Sequence, residues 1–261
     1  MEKSITQLLD EVKERIRQKD DSSYFAVFDF DNTFVVNDIQ EAMLAYMCRK
    51  FLLRNRTLAD DSFAENNHEE YHRAVFLHYH KLLEENDVMS AYEYAIRALA
   101  GFREGELIEL TKKVILEEGK EAKEDSLFGV PILRGLPLRE KVVALARDLS
   151  SQGVRVWIIT ASSETVVRAA LEYHNLEARC IGMKLKEENG IFTDELLEPL
   201  SVLEGKVACI KKFIHKEMKP LVGVGDSMND LPMLEYAEMK VVVDRGNKLA
   251  EEARRRGWYM L

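Results

Sequence analysis

The feature that most restricts the fold of this chain is where its first strand-like run falls. Residues Tyr24 to Phe30 read Tyr-Phe-Ala-Val-Phe-Asp-Phe, a continuous apolar and aromatic stretch with an acid near its end. A run without polar alternation is buried on both faces, as in the interior of a parallel sheet. Upstream, Ile5, Leu8, Leu9, Val12 and Ile16 have helical spacing and predict an amphipathic opening helix. Downstream, from Asp38 to Lys123, the pattern is helical throughout, in Ala42 to Leu53, Tyr71 to Leu83, Met89 to Ala100 and Glu104 to Leu116, with no convincing strand.

Pro131, Gly135 and Pro137 read as a linker and a helix start. Strands and helices then alternate. Helices are predicted over 139–149, 164–174, 207–216 and 232–237, and strands over 154–160, 179–183, 221–224 and, last, 240–243. Asn189-Gly190 is a hairpin turn signal between Met183–Lys186 and Ile191–Thr193. Alternation of this kind predicts an α/β fold built on a doubly wound parallel sheet. The expected division is an α/β core of residues 1–35 and 131–261, interrupted after its first strand by an α-helical cap of residues 36–130. Ligands of open α/β sheets bind beyond the C-terminal strand ends, so the inserted helices are expected to act as a lid.

Apolar residues make up 46% of the 261-residue chain, enough for a sizeable core, and 13 Gly and 5 Pro argue against a fibrous or disordered chain. The formal net charge of −9 argues against nucleic acid as a partner, since binding it needs a basic stripe. The compact basic run Arg254 to Arg256 follows Glu251 and Glu252 and reads as the solvated face of a terminal helix. Cys48, Cys180 and Cys209 are scattered and odd in number, so no disulfide framework or paired metal-ligand spacing is expected. The N-terminus lacks a signal-peptide apolar region and no stretch is apolar enough to span a bilayer, so the expected location is cytoplasmic, without membrane association. Oligomeric state is not readable from the sequence.

Four segments at predicted strand ends or helix starts carry polar groups toward the same sheet edge. In Asp29-Phe30-Asp31-Asn32-Thr33, two carboxylates two residues apart point the same way if the chain stays extended. Such a pair repels itself unless a cation lies between the acids or one is protonated. A magnesium ion suits a few carboxylate oxygens and waters. One Asp can then attack phosphorus while the other protonates the leaving oxygen. The second segment ends a strand on Thr160 and continues Ala161-Ser162-Ser163, where hydroxyls and free amides at a helix start suit an anion, or serve as an ordinary helix cap. The third is Lys206, whose ammonium can neutralise phosphate oxygens and the attacking acid. In the fourth, Gly223 to Asp230, Asp226 can complete a magnesium shell, and Asn229 and Asp230 can orient it or hold Lys206.

In this order, Asp-x-Asp-x-Thr, strand-Thr, Lys and Gly-Asp-Ser-x-x-Asp, the segments resemble the haloacid dehalogenase superfamily across the whole sheet part of the chain. The resemblance implies Asp29 as nucleophile and Asp31 as general acid and then base. It implies that Thr160 and Lys206 hold the transferring phosphoryl group, and that Asp29, Asp226 and the backbone carbonyl of Asp31 bind Mg2+. Thr33, Ser162, Asn229 and Asp230 are supporting residues. The second acid, Asp31, favours a phosphatase over a dehalogenase.

A helical insertion between the first two motifs is similar to the group with phosphoserine and phosphocholine or phosphoethanolamine phosphatases. That likeness implies that Asp38 and Glu41 meet a substrate ammonium and that Arg97 meets a carboxylate; as a helix start, the same acids suit the helix dipole. Tyr46, Tyr92, Tyr94 and Phe102 are candidates for aromatic faces around a cationic headgroup. The expected activity is a phosphatase acting on a small amine-bearing phosphomonoester. The alternatives are a phosphotransferase with the same aspartyl-phosphate, or a non-catalytic binding protein. One competing motif, His68-Glu69-Glu70-Tyr71-His72, fits the His-Glu-x-x-His zinc pattern, with His78 and His80 nearby. No third-ligand signature follows it, and the charged stretch reads as a solvated helix face.

Overall fold

The computed structural model describes residues 4–18, 24–59 and 68–261. The chain opens with helix α1 (Ile5–Gln18), which turns Leu8 and Val12 into the core. The Ser4 hydroxyl accepts from the Gln7 amide while the Gln7 side chain accepts from the Ser4 amide, a reciprocal N-terminal cap. Strand β1 (Phe25–Phe28) follows, buried along its whole length. Its neighbours explain why. It lies between β4 (Arg155–Ser163) and β7 (Val222–Gly225), parallel to both, with Ala26 opposite Val156 on one side and Val222 on the other.

Strand β5 (Arg179–Glu188) and strand β6 (Ile191–Leu197) extend the sheet beyond β4, and β8 (Met239–Val242) and β9 (Tyr259–Met260) extend it beyond β7. The spatial order is β6-β5-β4-β1-β7-β8-β9, parallel except for the β5–β6 hairpin. Asn189 (φ 52°) and Gly190 (φ 79°) turn that hairpin, as their sequence predicts. Strand order reverses between β1 and β7, so the loops leaving these two strands part and open a crevice at their C-terminal ends. Helices α6 (Glu140–Ser151), α7 (Glu164–Tyr173), α8 (Glu204–Phe213), α9 (Leu231–Tyr236) and α10 (Lys248–Arg256) connect or follow the later strands.

Between β1 and α6 come α2 (Ile39–Arg49), α3 (His68–Glu84), α4 (Val88–Arg97) and α5 (Glu104–Glu118), and then a feature the sequence reading lacks. Strands β2 (Lys123–Leu127) and β3 (Val130–Arg134) form a separate antiparallel hairpin. Lys-Glu-Asp-Ser-Leu is polar and mostly exposed, so no apolar alternation marks it. Pro131, expected in a linker, lies inside β3 opposite Ser126. A two-stranded ribbon has only edge strands, where a missing amide hydrogen costs little. Gly135 bends the chain out of the hairpin with φ 95°, and a Cβ there would lie 2.1 Å from the Glu121 carbonyl oxygen.

The two chain crossings between the sheet and these helices run side by side. The Val36 amide donates to Pro137 O (2.8 Å) and the Arg139 amide to Phe34 O (2.8 Å). The helices also reach the sheet's far hairpin: Gly101 N donates to Phe192 O (2.8 Å) and Phe192 N to Phe102 O (2.9 Å).

At the C-terminus the expected last strand is followed by α10 and β9, the latter too short to leave a sequence pattern. Arg255 and Arg256 pair with Glu252, and Arg256 also with Glu235 at 2.6 Å, the solvated ion-paired face that the charge pattern predicts.

Candidate active site

Asp29 is the first residue beyond β1, and its amide donates to Val224 O (2.9 Å), tying the ends of β1 and β7 together. The chain then turns: the amides of Thr33, Phe34 and Val35 all point to Phe30 O. The segment is therefore not extended as the sequence reading assumed, yet Asp29 and Asp31 still line one cavity of about 110 Å³. Asp38, Tyr92, Ser162, Lys206, Asp226, Asn229, Asp230 and Arg245 share its wall.

Lys206, in the first turn of α8, is 1% exposed. Its ammonium lies 2.6 Å from an Asp29 oxygen and 2.6 Å from an Asp230 oxygen. The other Asp230 oxygen accepts from the amides of Asp226 (3.0 Å) and Ser227 (3.1 Å). Gly225 makes this approach possible, because a Cβ there would be 2.5 Å from that of Asp230. Asp226 accepts from the Thr33 hydroxyl (3.1 Å) and from Arg245 (2.6 Å), and its carbonyl accepts from Asn247 (2.8 Å).

Asp31 sits in a separate nest. One oxygen accepts from the Ile39 amide (2.7 Å), the other from Ser162 Oγ (2.6 Å) and Thr160 Oγ1 (3.2 Å). Thr160 also accepts from the Ser162 amide (3.0 Å) and is not part of the cavity wall; its hydroxyl serves Asp31, while Ser162 is on the wall.

Burial, then the nearby Asp38 carboxylate, pushes Asp31 up to about 7 against the pull of its hydrogen bonds. Burial and Glu41 take Asp38 to about 6, and burial and Asp230 take Asp226 to about 6. Asp29 is raised well above the carboxylate range by burial and then by Asp230, with Lys206 opposing. Burial alone would lower the Lys206 ammonium, but Asp230 and Asp29 outweigh it and raise it. Five acids, Asp29, Asp31, Asp38, Asp226 and Asp230, thus line the cavity against two cations, Lys206 and Arg245.

Asp29, Asp226 and Asp230 bring carboxylate oxygens within 4.8 Å of one another, the one such grouping of potential ligands among the described residues. An all-oxygen, buried, charge-excess set fits a hard divalent cation such as Mg2+. Hydrogen bonding distinguishes Asp29, which accepts from Lys206 on one oxygen and has the other free of a hydrogen bond among the described residues. Asp230 is the lysine's anchor, with one oxygen on Lys206 and the other on two amides, and Asp226 accepts from Thr33 on one oxygen and Arg245 on the other. The Asp31 side chain is outside this trio.

A second cavity of about 210 Å³ adjoins the first, sharing Asn32, Asp38 and Arg245, with Glu41, Glu118 and Arg134 farther along it. Asp38 also N-caps α2, accepting from the Glu41 amide (2.9 Å). Glu41 lies 3.8 Å from His80 Nε2.

Arg97 lines neither cavity; it is exposed and paired one turn back with Glu93 (3.0 Å), which removes it from the site. Of the aromatic candidates only Tyr92 reaches the cavity; Tyr46 bonds Glu117, Tyr94 bonds Leu58 O, and Phe102 lies under Arg54. The zinc motif dissolves differently from expectation: His72 is fully buried, not solvated. Its Nε2 accepts from the Leu53 amide (3.1 Å) and its Nδ1 faces His68 O (2.6 Å), so both ring nitrogens are used. The sequence reading overlooked Arg245 and Asn247. They follow β8, and the C-terminal end of a sheet strand is the signal that points to them. A larger cavity, about 440 Å³ between α6 and residues 175–178, contains none of the predicted site residues.

No helix among the described residues is long and apolar enough to cross a membrane. A histidinol-phosphatase of Neisseria meningitidis is 23% identical over 246 residues, covering 90% of this chain and 97% of that protein. Phosphoserine phosphatase SerB1 of Mycobacterium tuberculosis is 26% identical over 154 residues, 56% of this chain and 49% of its own. Among solved structures, a functionally unknown protein from Anaerococcus prevotii superposes with TM-score 0.74 at 22% identity, covering 99% of this chain and 91% of that one. A substrate-bound phosphoserine phosphatase superposes at 0.55 with 16% identity, covering 89% and 91%, a likeness of fold. The haloacid dehalogenase-like hydrolase model matches residues 26–235, from the strand that presents Asp29 through the loop that presents Asp226 and Asp230. With the sheet order, the acid cluster and that match agreeing, this chain belongs to the haloacid dehalogenase-like hydrolase family.

Proposed function

We propose that the protein is a Mg2+-dependent phosphatase that cleaves a small, amine-bearing phosphomonoester through a phosphoryl group carried on Asp29. The observation that carries this reading is the Asp29 carboxylate held by buried Lys206 at 2.6 Å, with an Asp226 oxygen within 4.8 Å. Asp29, Asp226 and the Asp31 carbonyl would hold the cation, which supplies the positive charge that lets a phosphate dianion approach a carboxylate.

Asp29 attacks phosphorus and the bond to the leaving oxygen breaks. Asp31, at about 7, is protonated in a good part of the molecules at neutral pH and gives that oxygen its proton. The resulting Asp31 carboxylate then takes a proton from water, which attacks phosphorus and releases phosphate from Asp29. Lys206 opposes the rise of Asp29 and, with the cation, would favour its ionised form; its ammonium neutralises the transferring oxygens, and Ser162 fixes Asp31. In this proposal residues 1–35 and 131–261 form the catalytic core and 36–130 the cap.

The amine preference is supported by Asp38 and Glu41, half-buried acids without a lysine or arginine partner among the described residues. The substrates in the names of the two curated relatives are also phosphate esters of small amine-bearing alcohols. The test is hydrolysis of p-nitrophenyl phosphate and of a panel headed by phosphoserine, phosphocholine and phosphoethanolamine, with Mg2+. Asp29→Asn is expected to abolish turnover with the fold intact by circular dichroism; retained turnover removes Asp29 as nucleophile.

A further inference from the structure

Tyr92 is on α4, one of the helices inserted after β1, yet its hydroxyl meets the loop that follows β7. Asn229 Nδ2 donates to Tyr92 Oη at 3.0 Å. A phenol has one hydrogen to give and lone pairs to accept with. Since the Asn229 contact uses a lone pair, the Tyr92 hydrogen remains to be donated. Tyr92 lines the 110 Å³ cavity, and the charged groups that act on it are Asp38, Asp29, Lys206 and Asp230, those around the nucleophile. Among the described residues none accepts a hydrogen bond from this hydroxyl. Tyr92 is half-buried, and an acceptor entering the cavity can take up the hydrogen that the protein leaves undonated. The cavity, about 110 Å³, has room for a phosphoryl group, and it adjoins the 210 Å³ cavity.

We infer that Tyr92 is a catalytic hydrogen-bond donor to the phosphoryl oxygens, supplied by the inserted helices and aimed by Asn229. The inference rests on the phosphatase reading of the site and adds a donor that the sheet does not carry. Its consequence is that the phosphate-binding shell is complete only with α4 seated against the β7 loop. The ring alone, as an aromatic face for a cationic leaving group, would not have this consequence.

The test compares wild type with Tyr92→Phe, which keeps the ring and removes the hydroxyl. Orthovanadate and inorganic phosphate, which have no leaving group, are used as competitive inhibitors with Mg2+ present. A lost hydrogen bond to a charged group predicts vanadate and phosphate inhibition constants weaker by roughly 10- to 100-fold. kcat is expected to fall by a similar factor for p-nitrophenyl phosphate and for an aliphatic phosphomonoester alike, with the thermal midpoint of the free protein lowered by no more than about 4 °C, the loss of the Asn229 contact. Inhibition constants within about twofold of wild type, with whole-substrate KM raised, would assign Tyr92 to leaving-group contact or helix seating and overturn the inference. Wild type without turnover or vanadate inhibition would instead remove the phosphatase reading, and the inference with it.

Discussion

Replacing Lys206 with methionine tests whether the buried charge balance is as the structure draws it. The ammonium lies 2.6 Å from both Asp29 and Asp230, and the lysine is 1% exposed. At an effective dielectric of about 20, each contact is worth about 6 kcal/mol of Coulomb attraction. Taking the ammonium out of water costs several kcal/mol, which offsets much of that gain. Methionine refunds the desolvation but leaves Asp29 and Asp230 facing each other beside Asp226. Breaking a buried pair in this way is expected to cost about 3–5 kcal/mol, a fall in thermal midpoint of roughly 10 °C for a chain of this size. Without the ammonium nothing opposes the burial and the Asp230 charge that raise Asp29. The loss is therefore larger at pH 8 than at pH 5.5, where a proton on Asp29 takes the lysine's place. Guanidinium unfolding at the two pH values measures both quantities. The double variant Lys206→Met/Asp230→Asn should be more stable than additivity predicts by over about 1 kcal/mol. A destabilisation under about 1 kcal/mol, or one equal at both pH values, would refute a buried, ionised triad.

Asp31 at about 7 and Asp38 at about 6 both lie above the unfolded carboxylate value of 3.8, so the folded protein holds protons that the unfolded chain releases. Stability of the metal-free protein is then expected to fall as pH rises from about 4 through 7, and Asp38→Asn should flatten that slope in differential scanning calorimetry. Asp226→Asn is expected to weaken Mg2+ binding at least about tenfold by titration calorimetry, and to remove the Mg2+-induced rise in thermal midpoint; unchanged affinity would separate Asp226 from the cation. Asp38→Ala and Glu41→Ala should raise KM for cationic substrates several-fold more than for p-nitrophenyl phosphate, and equal effects would remove the ammonium contact.

What the sequence determined is what local burial patterns can carry. An unbroken apolar run can only be an interior strand, helical spacing marks the helices, and acids or glycines just past such strands mark the C-terminal sheet edge. Asp29, Asp226 and Asp230 were readable on that basis, since each follows a strand whose place in a parallel sheet follows from order; Lys206, at a helix start, drew its role from its place in the order of motifs that resembles the family. The polar β2–β3 ribbon and the two-residue β9 were not, because neither buries a repeating face.

Only the tertiary structure decided which side chains meet across long sequence distances. It turned Thr160 toward Asp31 instead of the cavity, sent Arg97 outward to Glu93, and buried His72 on the Leu53 amide. It also brought Arg245 to Asp226 and Tyr92 to Asn229. Such choices depend on how whole elements pack, and a helix rotated by one residue, about 100°, would remake every one of them while leaving its own pattern of spacing intact.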